Sequence, residues 1–176
     1  MLADIAAAKA AGLAGVVLGA KGADDALDLA MLGRLKTAAE GMGTTLHRVI
    51  DVVPDPLVAL ENAVELGFER VLTSGAATEA PDGVEMVARM VAQAGDRITV
   101  LDLSLDKNRE GLVKVLEQGA HVFYSDHHFA GEIPQSDRLT TAINTASDVC
   151  TSILINQHIG GQFKLWAVAG AFGDNL

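Results

Sequence analysis

A single cysteine, Cys150, stands in 176 residues and leaves no partner for an internal disulfide. The chain is therefore not built for an oxidising compartment, and Cys150 is expected to pack in a helix. Aromatic residues make up only 4% of the chain, with one Trp and one Tyr, so Ala, Val, Leu and Gly must fill its interior. No apolar run approaches the roughly eighteen residues that a membrane span requires. Asp4 and Lys9 interrupt the Ala-rich start, where a secretion signal needs a basic head and an unbroken apolar stretch. A cytoplasmic protein with no membrane partner is expected. Basic residues are scarce too: 13 Lys and Arg face 23 Asp and Glu, for a net charge of −10. The deficit covers both halves, with 7 basic and 14 acidic side chains in residues 1–96 and 6 and 9 in residues 97–176. Duplex nucleic acid is thereby excluded as a partner, because such binding rests on many Lys and Arg contacts to phosphate. A small phosphoester or a short nucleotide, held through a metal, is compatible with this charge.

What is present is a 49% apolar chain of a length that buries one substantial core. Short Val-rich runs alternate with Ala/Leu-rich segments, the pattern of βα repeats around a mainly parallel sheet. Five strands are expected, over residues 15–19, 44–48, 70–73, 97–102 and 121–125. Helical spacing of apolar residues marks 25–40, 56–66, 83–94 and 107–118 between them. Gly41, Gly67, Gly95 and Gly119 follow these helices where a left-handed cap is wanted. Asp24 and Asp25 read as charges at a helix N-terminus. Beyond residue 131 two helices, about 147–159 and 163–172, follow a polar loop containing Pro134, and no further strand is evident.

In parallel α/β sheets ligands collect at the carboxyl ends of strands. Those ends here carry His47, Arg48 and Asp51, then Thr73 and Ser74, then Asp102 and Ser104, then Asp126, His127 and His128. Two readings of the first group stay open. His47 and Arg48 form a partly buried hydrogen-bonded arrangement with Asp51, or Arg48 and the Ser74-Gly75 backbone form an anion pocket. For the last group the choice is between metal ligands and side chains that satisfy one another by hydrogen bonds.

The run Thr45-Leu46-His47-Arg48-Val49-Ile50-Asp51, the Pro54-Asp55-Pro56 that follows and the later Arg70-Val71-Leu72-Thr73-Ser74-Gly75 resemble the CutC copper-homeostasis family over residues 1–100. The resemblance implies the middle strands of a TIM barrel, with His47, Arg48, Asp51 and the Thr73-Ser74-Gly75 turn lining a substrate-binding pocket. Leu46 departs from the family's usual Phe, and Ala76 from its common second Gly. No cysteine accompanies His47, so a soft Cu(I) site here lacks its preferred ligands.

Residues 97–176 resemble the N-terminal part of a DHH-family phosphoesterase. The motifs are Leu101-Asp102-Leu103-Ser104, Asp126-His127-His128 with Phe129-Ala130-Gly131, Asp148-Val149-Cys150-Thr151-Ser152, and Ala171-Phe172-Gly173-Asp174-Asn175. The resemblance implies that Asp102, His127 and Asp174 hold Mn²⁺ or another divalent cation, that Asp126 orients His127, and that His128 contacts the phosphate. Asp126, His127 and His128 would then be the catalytic group. A divalent ion suits phosphoester hydrolysis because it lowers the pKa of bound water and neutralises phosphoryl charge. The Asp-x-Asp motif that would complete both metal shells has no counterpart in residues 1–96.

Residues 1–96 and 97–176 thus read as two segments of one continuous α/β unit, joined near Gly95-Asp96-Arg97. An open sheet is expected in place of a closed barrel, and open edges favour a homodimer. Three functions follow in order. The first is a DHH-type hydrolase module with an incomplete, weak or inactive metal site. The second is a CutC-type copper-homeostasis or metal-binding protein without catalysis, and the third is a chimera with no activity.

Overall fold

The Val- and Thr-rich runs become strands, and the Ala/Leu-rich runs helices, in the computed structural model, which describes residues 1–174. The chain divides after Ala94 into two compact units. Each is α/β, and each holds a three-stranded, all-parallel, open sheet. Neither sheet closes into a barrel. Among the described residues no helix is long and apolar enough to cross a membrane.

The first unit runs α1 (Leu2–Ala10), β1 (Gly15–Leu18), α2 (Leu29–Ala38), β2 (Gly43–Leu46), a 3-10 turn (Arg48–Val52), α3 (Pro56–Glu65), β3 (Arg70–Val71), a second 3-10 turn (Ala80–Gly83) and α4 (Val84–Ala94). Its strands lie in the order β1-β2-β3. Helix α3 begins where the sequence says it should. The Asp55 carboxylate accepts from the Leu57 and Val58 amides, and Pro56 fills the first turn, where its missing N–H costs nothing. Gly67, at φ 74°, then reverses the chain into β3. Leu32, Leu46, Ile50, Leu60 and Ala63 form the main core, and Ile5, Leu18, Leu35 and Ala39 form a second cluster under α1. Buried Thr44 is tied in: partly exposed Lys36 Nζ donates to its Oγ1 and to the Gly67 carbonyl, each at 2.6 Å. That ammonium joins α2, β2 and the end of α3.

Asp24 and Asp25 do not sit at a helix start. The chain makes a tight turn closed by a bridge between Lys21 and Leu27, with Asp25 at φ 63° and Lys21 Nζ donating to its carboxylate. The helix cap is Asp28, whose side chain accepts from the Met31 amide at 2.9 Å. Asp tolerates the left-handed region that this turn demands, which is why a helix-like charge pattern here belongs to a loop.

The second unit runs β4 (Arg97–Leu101), α5 (Leu105–Glu117), β5 (His121–Asp126), β6 (Leu139–Ile143), α6 (Thr151–His158) and α7 (Lys164–Gly173). Strand β5 is central, with β4 and β6 parallel on either side. Val122 and Tyr124 are buried from it, at 2% and 1% exposure. The main departure from expectation is β6, placed in a stretch that reads as loop. Parallel neighbours need a crossover of about a dozen residues, usually a helix, and the polar segment 127–138 supplies that length without one. Helix α6 packs against β5 and β6 and starts at Thr151, four residues later than the spacing suggests.

Candidate metal centre

At the carboxyl ends of β2 and β3 the polar residues bind one another. Arg48 Nε donates to Asp51 Oδ2 at 2.8 Å, and its Nη2 donates to Ser74 Oγ and to the Ala77 carbonyl at 3.2 Å. Asp51 also accepts from the Thr73 hydroxyl and from the Ser74 and Ala76 amides, both at 3.0 Å. Its side chain is 3% exposed. Burial pushes its pKa up, but bonds from Thr73, Arg48 and the two amides outweigh that and hold the carboxyl below the usual range. The arrangement is a knot that shapes the loop after β3, with Arg48 spent inside it.

His47 faces another way. Its Nδ1 accepts from the Val49 amide at 2.9 Å, so the neutral ring carries its proton on Nε2. A metal ligand needs a free lone pair there, and this hydrogen bond withholds it. The imidazole also lies over Gly19: a Cβ at that position would stand 2.2 Å from the ring. His47 is thus a hydrogen-bond donor at the strand ends.

The second unit builds a different site. The ligand atoms of Asp102, Asp126, His127 and His128 all lie within 4.8 Å of one another, from the ends of β4 and β5. Asp174, at the end of α7, joins them, its Oδ2 3.4 Å from His127 Nε2. On the other side of that nitrogen is Asp102 Oδ1, at 3.5 Å. His127 Nδ1 lies 3.1 Å from the Val149 carbonyl, which can only accept, so that nitrogen donates. In the neutral ring Nε2 then carries a lone pair, aimed at two carboxylates. Buried Asp126 bonds through Oδ1 to His128 Nδ1 at 2.7 Å, while its Oδ2 and His127 Nε2 have no hydrogen-bond partner among the described residues. Asp126 therefore steadies His128, and the orienting partner of His127 is the Val149 carbonyl, not the aspartate that its motif suggests. His128 is half exposed, with Nε2 left for whatever approaches.

Asp102 adopts φ 62°, the left-handed region that Asp, as at Asp25, enters more readily than most residues but less readily than glycine. Its Oδ1 accepts from Thr151 Oγ1 at 2.8 Å. Thr151 and Ser152 do not cap α6: Ser152 Oγ donates to the Ala167 carbonyl at 2.9 Å, tying α6 to α7. Within β5 lies buried Tyr124, whose pKa is pushed well up by burial and then by the Asp126 charge. Cys150 is buried at the head of α6.

The donor set decides which ions fit. Three carboxylates and two imidazoles, with a lone pair and an orphaned buried oxygen among them, are borderline-to-hard ligands that suit divalent transition metals. They do not suit Cu(I), which prefers sulfur.

Known proteins resemble this chain mainly through its first two thirds. A sequence description of the CutC family matches residues 1–115. A CutC family protein of Sinorhizobium medicae is 59% identical over 98 residues, covering 56% of this chain and 40% of its own length. One of Caulobacter vibrioides is 48% identical over 134 residues, covering 76% and 54%. The solved structure of CutC from Streptococcus agalactiae shares the fold, with a TM-score of 0.55 at 20% identity, over 70% of this chain and 60% of that one. The class is that of parallel α/β proteins with polar strand ends. The chain belongs to the CutC family. It spans about half the length of the curated relatives it matches.

The matched region runs through the join expected near residue 97 and on to 115, so the division into unrelated parents is not supported there. Nor do these comparisons support a DHH segment, manganese or hydrolase activity.

Proposed function

We propose that this chain is a metal-binding member of the CutC family, with copper(II) its preferred ion, held by Asp102, Asp126, His127 and His128 beside Asp174. One observation carries the reading: in the neutral ring His127 Nε2 presents a lone pair between two carboxylate oxygens at 3.4 and 3.5 Å, an arrangement that repels itself until a metal ion or a proton lies within it. Family membership and the copper-homeostasis name of the Streptococcus protein direct attention to copper. The chemistry agrees, since at a nitrogen and oxygen site Cu²⁺ binds more tightly than Zn²⁺, and Mn²⁺ more weakly than either. Oxygen and imidazole donors select the oxidised ion. The role proposed is binding without catalysis.

Calorimetric titration of the chain with Cu²⁺, Zn²⁺ and Mn²⁺ tests this. The expected order is Cu²⁺ tightest and Mn²⁺ weakest, with His127→Ala losing more than the about 10–100-fold that outer-shell substitutions cost. A protonated His127 would satisfy the same geometry without any ion. Absence of binding heat for all three metals would mean that this is the true state.

A second reading has one observation in its favour: the cluster gathers Asp102, Asp126, His127, His128 and Asp174, the residues to which the DHH resemblance assigns metal and phosphate roles. A divalent ion there would polarise a phosphoester, with half-exposed His128 placed to meet its oxygens. Metal-dependent release of nitrophenol from bis-nitrophenyl phosphate, lost in His128→Ala, is its signature. Metal binding with no turnover leaves the first reading alone in place.

A further inference from the structure

Thr151 is the first residue of α6 and 8% exposed, and its hydroxyl reaches across to the end of β4. Of the Asp102 carboxylate it takes Oδ1, the same oxygen that faces His127 Nε2. Asp102 is half exposed, with a side-chain exposure of 59%. Without a partner, an aspartate that open would turn its carboxylate freely in solvent. Its backbone is held in the left-handed region, at φ 62°. The hydrogen bond supplies what remains: it fixes the plane of the carboxylate, and it joins the start of α6 to the strand end that carries the other ligands.

We propose that Thr151 is a positioning residue for the metal centre, holding Asp102 oriented toward His127 so that the ion meets a ready-made carboxylate. The proposal rests on the metal-binding reading given above. It assigns to a threonine hydroxyl the part that outer-shell hydrogen bonds play in metal sites generally, where they fix ligand direction and raise affinity. Thr151 touches neither the ion nor anything bound to it. Its effect passes through Asp102, and it should show in the geometry of the site as well as in affinity.

The test uses the full chain with Cu²⁺ alone as probe. Thr151→Val keeps the shape and β-branching while removing the donor, and Thr151→Ser keeps the donor while removing the methyl. Dissociation constants come from competitive titration, the copper environment from electron paramagnetic resonance, and the metal-free midpoint from thermal unfolding. Thr151→Val is expected to weaken Cu²⁺ binding by about 10–100-fold and to change the resonance spectrum, while Thr151→Ser retains near-parental affinity and the parental spectrum. If Thr151→Val does not fold, Thr151→Ala is read in the same way. A lowered metal-free midpoint with affinity and spectrum unchanged would overturn the proposal, because Thr151 would then serve only to pack α6. Failure of the parental chain to bind Cu²⁺ would instead overturn the metal-binding reading itself.

Discussion

Asp51 and Asp102 show how differently two strand-end aspartates can be used. Asp51 is buried and surrounded by donors, so its charge is consumed in holding the loop after β3. Because its folded pKa is lowered, the stability it contributes is present above the unfolded value of about 4 and is lost as pH falls through the folded value. Asp51→Asn should therefore destabilise the first unit by about 2–4 kcal/mol at pH 7, and denaturant titrations should show that gap closing below about pH 4. A constant gap from pH 3 to 7 would mean that the carboxylate charge is not what matters. Asp102 is exposed and held in the left-handed region, and its carboxylate accepts from a hydroxyl on another element. Asp102→Gly should relieve backbone strain and leave metal-free stability equal to or above the parent by up to about 1 kcal/mol, while abolishing tight metal binding. Loss of stability together with binding would show that the carboxylate, unlike the strain, supports the fold.

At the scale of elements, much of the architecture was legible before any coordinates. The expected strands and helices up to residue 125 fall within a few residues of those observed, because Val-rich runs and Gly punctuation act locally. Asp55-Pro56 announces α3 so plainly that Asp55→Ala should cost about 1 kcal/mol by urea unfolding. Strand β6 was not legible. Thr140, Thr141 and Ile143 carry β-branched propensity, but the run is short, half exposed and flanked by polar loops, and only pairing with β5 makes it a strand. The metal cluster divides in the same way. Asp126-His127-His128 drew attention as an abrupt polar end to an apolar run. The Val149 carbonyl, which sets the His127 tautomer, is a backbone group that the sequence does not mark, and the Thr151 hydroxyl reaches Asp102 only through tertiary packing across 49 residues of chain. Helix α7 buries Ala167 and leaves Leu165, Trp166 and Phe172 largely exposed. With so little of its apolar surface packed, it should lose amide protection well before α5 or β5 in hydrogen-exchange mass spectrometry. Equal protection would mean that this surface is covered in solution.

For the whole molecule, the family match and the site overlap only in part. The CutC family description covers residues 1–115, which include Asp102, and the 134-residue match to the Caulobacter vibrioides relative is too long to stop short of His127 and His128, whereas Asp174 lies at the far end of the chain. The strand-end residues of the CutC-like stretch engage one another: Arg48 binds Asp51 and Ser74, and His47 holds its lone pair against an amide. Copper bound by this chain should accordingly be indifferent to changes at His47 and sensitive to changes at His127.

Thermal unfolding of the chain with and without Cu²⁺, beside His47→Ala and His127→Ala, tests that statement most directly. An ion that binds only the folded state at 100 times its dissociation constant adds about 2.7 kcal/mol, which for a chain of this size raises the midpoint by about 5–10 °C. The account predicts that rise for the parent and for His47→Ala, and none for His127→Ala. A rise that survives His127→Ala, or disappears with His47→Ala, would contradict it.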